Sequence, residues 1–184
     1  TMSTKMKVAA LLMLLGMGFI GVAQGANWDS MTLTVTVSAP IDVDITSDTY
    51  DFGTRTTSLT TCSTTGIPVN NNTSGTVLTY ALSASVAGGM NLAASAGEDA
   101  MNLRAIFRNY ASNNPAESHF EADDDLDGDN QPATSTNFDY NAGAETGLSV
   151  APTAGNEKEL WFMLSTPTAV TTGDPQTITV YLTA

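Results

Sequence analysis

Apolar and polar residues alternate with a period of two along most of the chain after residue 30. Met31, Leu33, Val35 and Val37 alternate with threonines, which is the pattern of a strand with one buried face. The same alternation occurs at residues 41–45, 77–86, 103–107, 160–164 and 177–182. No segment after residue 26 has the period of an amphipathic helix, and Gly, Pro and Asn separate the strands. The pattern predicts an all-β fold, an immunoglobulin-like or jelly-roll antiparallel β-sandwich.

The start of the chain has the order of features found in a secretory signal peptide. Lys5 and Lys7 precede an apolar run over residues 8–23, and small residues end that run. A membrane-spanning helix needs about 20 apolar residues, and this run is shorter and contains glycines. We therefore predict a signal helix in residues 1–25 and a single domain in residues 26–184. The protein would be secreted or on the cell surface, with no permanent membrane span after leader removal.

An apolar segment that is retained as a helix and packs subunits together, as in type IV pilins, is the alternative. Those pilins carry an acidic residue within the apolar stretch, whereas none interrupts residues 8–26 here. The sequence therefore favours a precursor with a cleaved leader.

Acidic residues dominate the charge, with 19 acids, six basic residues and a formal net charge of −13. Such a protein repels nucleic acid and anionic membrane surfaces, so we expect no nucleic-acid partner. Arg104 and Arg108 alternate with the apolar residues of a predicted strand, and we expect both to face outward. Cys62 is the only cysteine, which excludes an intrachain disulfide. A buried small apolar role and an intermolecular bridge both fit it.

Residues 109–147 form a long segment rich in Asn, Asp, Ala, Ser and Gly, without a sustained period. It contains an alternating acidic cluster that consists of Asp123, Asp125, Asp127 and Asp129. Acids at relative positions 1, 3 and 5 with a glycine at position 6 resemble the opening of the calcium loops of EF-hands, dockerins and thrombospondin type 3 repeats. The cluster therefore predicts a bound Ca²⁺ ion.

The resemblance to calcium loops ends at position 12, where those loops place a carboxylate and this chain has Thr134. Asp139 or Glu121 would have to supply the missing ligand. The alternative is a solvated acidic loop without a specific ion. Crowded aspartates repel one another unless they are solvated or neutralised, so a bound cation and a solvated loop both remain open.

Groups that catalysis requires are sparse in this sequence. His119 is the only histidine, and no Gly-x-Ser-x-Gly, His-Glu-x-x-His, Cys-x-x-Cys or phosphate-loop motif occurs. Acidic residues are plentiful, but nothing singles out a pair of the kind that glycosidases use. We predict that the protein is not an enzyme.

Four aromatic residues are available for a sugar-binding platform: Trp28, Tyr110, Tyr140 and Trp161. Trp161 is out of phase with the apolar residues of its predicted strand, so we expect it to face away from the main buried side. A core on a second face of the sheet, or an inter-subunit contact, explains such a tryptophan better than a sugar site does.

Three short motifs resemble a family of secreted surface proteins. They are YDFGT at residues 50–54, IPVN at 67–70 and YALS at 80–83. The segment resembles the early strands of immunoglobulin-like spore-coat-U-like proteins and archaic chaperone–usher pilin subunits. Those pilins usually have a cysteine pair, whereas Cys62 is single here. The resemblance implies polymerisation by strand exchange into a filament.

The first predicted strand is the candidate assembly strand, through Met31, Leu33, Val35 and Val37. It either completes its own sheet or is donated to a neighbouring copy. We predict an extracellular structural subunit that self-assembles into a surface filament or layer by β-strand pairing and is stabilised by calcium. The alternatives are a monomeric secreted calcium-dependent binding module or adhesin, and a hydrolase.

Overall fold

A computed structural model of the chain describes residues 28–37, 43–45, 49–141, 145–152, 155–171 and 173–184, with the backbone alone in the first of these segments. These residues form eleven strands and two short 3-10 helices without an α-helix, so the all-β prediction is confirmed. The predicted signal helix lies outside the described residues. Within the described part of the chain, no helix is long and apolar enough to cross a membrane.

The strands form two sheets. Sheet A contains, in spatial order, β3 (Thr49–Thr56), β1 (Trp28–Val37), β11 (Gln176–Thr183), β6 (Ala81–Ala87) and β9 (Gln131–Pro132). Sheet B contains β2 (Val43–Ile45), β5 (Ile67–Asn71), β10 (Lys158–Ser165), β8 (Ala100–Asn109) and β7 (Asn91–Leu92), and β4 (Thr60–Cys62) pairs with β10 beside β5. The 3-10 helices are Glu117–His119 and Ala122–Asp124.

The two sheets share one apolar core, because the alternating residues of their central strands form a single buried cluster. The fully buried members from β8, β10 and β11 are Met101, Leu103, Ala105, Phe107, Leu160, Phe162, Leu164, Ile178, Val180 and Leu182. These are the apolar positions of the period-two pattern in the sequence. Burial of each of the larger side chains contributes about 1.5–3 kcal/mol, so the pattern itself selects which face of each strand turns inward.

Sheet B also buries much of its outer face. Ile106, Phe120, Trp161 and Met163 form a second apolar cluster, in which Trp161 is only 3% exposed. The interpretation of Trp161 as core on a second face is therefore confirmed. Cys62 is a half-buried free thiol at the margin of this cluster, where burial raises its pKa to about 11 and Glu117 adds to the shift.

The antiparallel arrangement that the sequence predicts holds for most strand pairs but not for the pair of β1 and β11. β1 lies between β3 and β11, antiparallel to β3 and parallel to β11. β7 and β8 are parallel as well. Parallel neighbours need a long connection rather than a tight hairpin, and β1 and β11 are separated by most of the chain. Alternation alone does not specify strand direction.

The acidic segment between β8 and β10 is ordered by backbone pairing rather than being a structureless loop. The amide of Leu126 donates to the carbonyl of Leu103 in sheet B, at 2.8 Å. One residue later, the carbonyl of Asp127 accepts from the amide of Ala84 in sheet A, at 2.6 Å. The segment therefore crosses from β8 to β6 and joins the two sheets along one side of the core.

A substitution at Gly147 tests how tightly this segment is packed. A Cβ at this buried position would lie 2.7 Å from the ring of Phe107 and 3.1 Å from the Cβ of Ala133. Because the ring is fully buried, Gly147→Ala should lower the free energy of unfolding by about 1–3 kcal/mol. Chemical denaturation measures the change.

Gly128 provides the matched control, since it lies in the same segment and a Cβ there would contact nothing within 4 Å. Gly128→Ala should change the stability by no more than about 0.5 kcal/mol. Equal effects of the two substitutions would contradict the packing of residue 147 against the core.

Candidate functional site

Two of the four predicted calcium ligands, Asp125 and Asp127, are hydrogen-bonded to other protein groups. Asp125 accepts hydrogen bonds at Oδ1 from Arg104 Nε and Asn102 Nδ2, both at 2.7 Å. Asp127 accepts at Oδ1 from its own loop, from the amide of Asp129 at 2.9 Å and from Gln131 Nε2 at 2.8 Å. Both carboxylates therefore act as hydrogen-bond acceptors for neighbouring protein groups where the segment crosses between the sheets.

Asp123 and Asp129 are exposed at the two ends of the cluster. Asp123 lines a small polar cleft of about 200 Å³ together with Glu121, Asp139 and His119. Among the described residues, no group of three or more His, Cys, Asp or Glu side chains is close enough to hold a metal ion. Calcium binding by the acidic cluster stays a prediction.

Arg104 has a role that the sequence pattern does not reveal. Its strand position faces outward from the main core, as predicted, but the acidic segment folds over it. Besides the ion pair with Asp125, its Nη1 group donates to the carbonyl of Phe120 at 3.0 Å. A half-buried, charge-assisted pair of this kind fixes the acidic segment to the outer face of β8.

Arg108 lies on the outer face of β8, as predicted, but it is buried there, which corrects the expectation of an exposed side chain. It is 6% exposed, its Nε lies 3.1 Å from Glu145 Oε2, and its Nη1 donates to the carbonyl of Asn113. Its guanidinium carbon lies 3.9 Å from the ring centroid of Tyr140. The period of a strand defines two faces, but it does not show that another segment covers the second one.

The residues after β8 that cover the outer face of sheet B, among them Phe120 and Tyr140, form a covering layer. His119 belongs to it. Its ring centroid lies 4.4 Å from that of Tyr140, and its Nδ1 accepts from the amide of Ala116 at 3.0 Å. The second contact closes the short 3-10 helix Glu117–His119. In this arrangement the histidine stabilises a turn.

Asp124 is the most deeply buried carboxyl among the described residues, with 1% of its surface exposed. Oδ2 accepts from the amide of Glu121 at 2.8 Å, whereas Oδ1 has no well-directed hydrogen bond. Burial raises the pKa of Asp124 to about 7, the nearby amides of Glu121 and Phe138 oppose the shift, and the charges of Asp123 and Asp139 add to it. The carboxyl therefore titrates near neutral pH.

Asp124→Asn should stabilise the protein above neutral pH. A free aspartate has a pKa of about 3.9, so between about pH 4 and pH 7 the folded state holds a proton that the unfolded chain has released. The stability contributed by this group is thus complete below about pH 4 and is lost as the pH rises to about 7. At pH 8 the variant should exceed the parent by on the order of 2–4 kcal/mol, and the difference should vanish at pH 4.

Denaturation curves of parent and variant at several pH values measure this difference. Asp129→Asn is the control, because it removes an exposed carboxylate of the same segment that does not contribute to the pKa shift of Asp124, and it should leave the pH dependence nearly unchanged. A difference between Asp124→Asn and the parent that is constant from pH 4 to pH 8 would show that Asp124 titrates normally.

The calcium prediction is tested by melting curves with a chelator and with millimolar calcium, since an ion that binds only the folded state raises the melting midpoint. We expect calcium to raise the melting midpoint, and we expect this rise to be lost when Asp123, Asp127 and Asp129 are replaced by Asn. A charge-matched control replaces the exposed Asp44, Glu98 and Asp174 by their amides and should keep the rise. An unchanged melting midpoint at millimolar calcium would contradict the calcium prediction.

The second candidate site is the position of β1 between β3 and β11. We call the edges of β3 and β11 that face β1 the β1 slot. Seven residues of β1, from Met31 to Val37, pair with β11. The register aligns Leu33 with Ile178, Val35 with Val180 and Val37 with Leu182. The residues of β11 in these rows are fully buried. The apolar positions of the predicted assembly strand are therefore in register with the buried positions of β11.

The opposite wall of the β1 slot has a β-bulge. Met31 pairs with Gly53 and Thr32 with Asp51, so Phe52 is the extra residue of β3. Gly53 adopts a φ of 67°, which favours glycine, and its amide donates to Asp51 Oδ1 at 2.7 Å. Phe52 itself is buried in the main core. The FG pair of the YDFGT motif thus builds the bulge next to β1.

Comparison with known proteins gives no independent identification. The sequence matches no protein-family model, and a search of curated proteins finds no match. The resemblance to spore-coat-U-like and pilin subunits consequently rests on its three short motifs. These motifs lie in β3, at the start of β5 and at the start of β6.

Proposed function

We propose that this chain is an extracellular structural subunit that assembles with copies of itself by exchanging β1, and that its two sheets form an immunoglobulin-like or jelly-roll sandwich. The observation that carries the proposal is the position of β1 inside sheet A. A strand at this position has a neighbour on each side, β3 and β11. Pairing at this position requires a matching register and alternating apolar and polar residues, and β1 from another copy has both.

The energetics of exchange follow from this geometry. β1 forms seven residue pairs with β3 and seven with β11, and an identical strand from a neighbour would form the same pairs. The contact free energy is therefore similar in the closed monomer and in the exchanged form, and the local concentration of the chain's own strand decides between them. Donation from each copy to the next is a head-to-tail contact, which produces a filament if it does not close into a ring.

An empty β1 slot would be costly, which is the reason that some strand must fill it. Without β1, the backbone of β11 from Gln176 to Leu182 would lack its partner on one side, and the shared core would be open to water. Such a long exposed edge next to apolar residues is a site for pairing with another chain. Secretion through the predicted leader would bring the subunit to the cell surface, where a filament or layer forms.

Cysteine cross-linking tests whether β1 is exchanged. Thr34 of β1 and Thr179 of β11 are neighbours in the register, so Thr34→Cys and Thr179→Cys in a Cys62→Ser background place two thiols side by side. Oxidation of the assembled protein should give a ladder of covalent multimers on a non-reducing gel, because each disulfide joins two copies. Electron microscopy of the same sample should show filaments.

The matched control pairs Thr179→Cys with Ser85→Cys, since these residues are neighbours on β11 and β6 and both strands belong to one copy in the proposal. Oxidation of this pair should give monomers only. Complete disulfide formation in the Thr34 and Thr179 variant with monomers as the sole product would show that β1 is an internal strand, and would overturn the proposal.

A secreted binding module remains the second candidate function. The observation that favours it is a polar cleft at one end of sheet B, on residues that the β1 slot does not use.

A further inference from the structure

A cleft of about 320 Å³ lies at the end of sheet B where β5 and the segment before β10 meet. Its wall contains four asparagines, one carboxylate and one proline ring: Asn70, Asn71, Asn72, Asn156, Glu157 and Pro152. We call these residues the amide cleft. The volume is at the lower end of the range of small-molecule sites, and amide groups that both donate and accept hydrogen bonds dominate the lining.

Asn71 makes one part of this wall rigid. Its Nδ2 donates to the carbonyls of Thr76 and Val150, each at 2.8 Å, and its Oδ1 accepts from the amide of Thr73 at 3.0 Å. The side chain is 8% exposed. With its hydrogen-bonding capacity used by the protein, Asn71 positions its two neighbours in the sequence rather than a ligand.

Asn70 and Asn72 keep free hydrogen-bonding capacity at the cleft. Asn72 is exposed, and Oδ1 of Asn70 is buried without a hydrogen-bond partner. An unsatisfied buried acceptor is unfavourable, because it has lost its hydrogen bonds to water. Asn70 lines the cleft, so a ligand hydroxyl that donates to this oxygen would satisfy it.

An exposed aromatic ring belongs to the same end of the sheet. Tyr110 is 57% exposed, and its amide donates to the carbonyl of Glu157 at 3.0 Å. Lys158 pairs with Val69 on one side and with Asn109 on the other. Extension of this register by one residue places Glu157 in a row between Asn70 and Tyr110, and residues in one row of a sheet share a face.

The chemistry of this row selects a class of ligand. Amide and carboxylate groups bind vicinal hydroxyls by donating and accepting together, and a tyrosine ring beside them offers an apolar face with a polar tip. The lining contains neither Lys nor Arg, which disfavours phosphates and other anions. It contains a single carboxylate, Glu157, whereas calcium sites commonly combine several.

From this combination we propose that the amide cleft binds a neutral saccharide, with Glu157 and Asn72 as hydroxyl ligands and Tyr110 as the ring beside them. The proposal is independent of strand exchange, because the β1 slot lies in sheet A and none of its residues lines the cleft. A subunit with both features would assemble through one sheet and bind sugar through the other.

Screening on an array of neutral mono-, di- and oligosaccharides, followed by titration calorimetry with the best binder, tests this proposal. We expect saturable binding that Glu157→Gln and Tyr110→Ala each weaken at least tenfold, with an unchanged melting midpoint. Glu98→Gln and Leu59→Ala are the matched controls, since both residues are exposed and remote from the cleft; they should bind like the parent.

Three results would overturn the saccharide site. They are the absence of binding to every neutral sugar on the array, binding that Glu157→Gln and Tyr110→Ala leave unchanged, and equal loss in the control variants. None of these results depends on filament formation, so the two proposals fail separately.

Discussion

Backbone pairing along both sides of β11 is the interaction on which the rest of the structure depends. β1 pairs with one side and β6 with the other, and the buried residues between them, Ile178, Val180 and Leu182, form the centre of sheet A. Hydrogen bonds alone add little net stability, but an unpaired backbone next to an apolar core is costly. Because β11 must stay paired on both sides, the stability of the subunit depends on a β1 strand, whether it comes from the same copy or from another one.

The covering layer on sheet B solves a different problem. β8 and β10 carry large apolar residues on both faces, Ile106, Trp161 and Met163 on the outer one, and these residues would favour aggregation if they were left in water. The chain after β8 covers it with Phe120 and Tyr140, and the ion pairs of Arg104 and Arg108 hold this cover in place. Polar groups thus appear where this long segment is attached to the sheet, and its acids Asp125 and Glu145 serve the attachment.

Period-two alternation was sufficient to predict the all-β class and the inward phase of β8, β10 and β11, because burial on one face requires that pattern. The phase of Trp161 gave two interpretations, a second buried face or an inter-subunit contact, and the structure shows the buried face. The burial of Arg108 was not predictable, since it depends on a distant segment that folds over the strand. The parallel pairing of β1 with β11 and the convergence of Asn70, Glu157 and Tyr110 depend on strand order, which local patterns do not encode.

Two overlapping Asn-x-Ser/Thr sequons begin at Asn71 and Asn72. A glycan attaches to Nδ2, and in Asn71 this atom already donates to two carbonyls, whereas Asn72 is exposed at the rim of the amide cleft. A host with N-linked glycosylation would therefore place its oligosaccharide on Asn72 and obstruct the opening. The choice of production organism decides whether this end of the molecule is accessible.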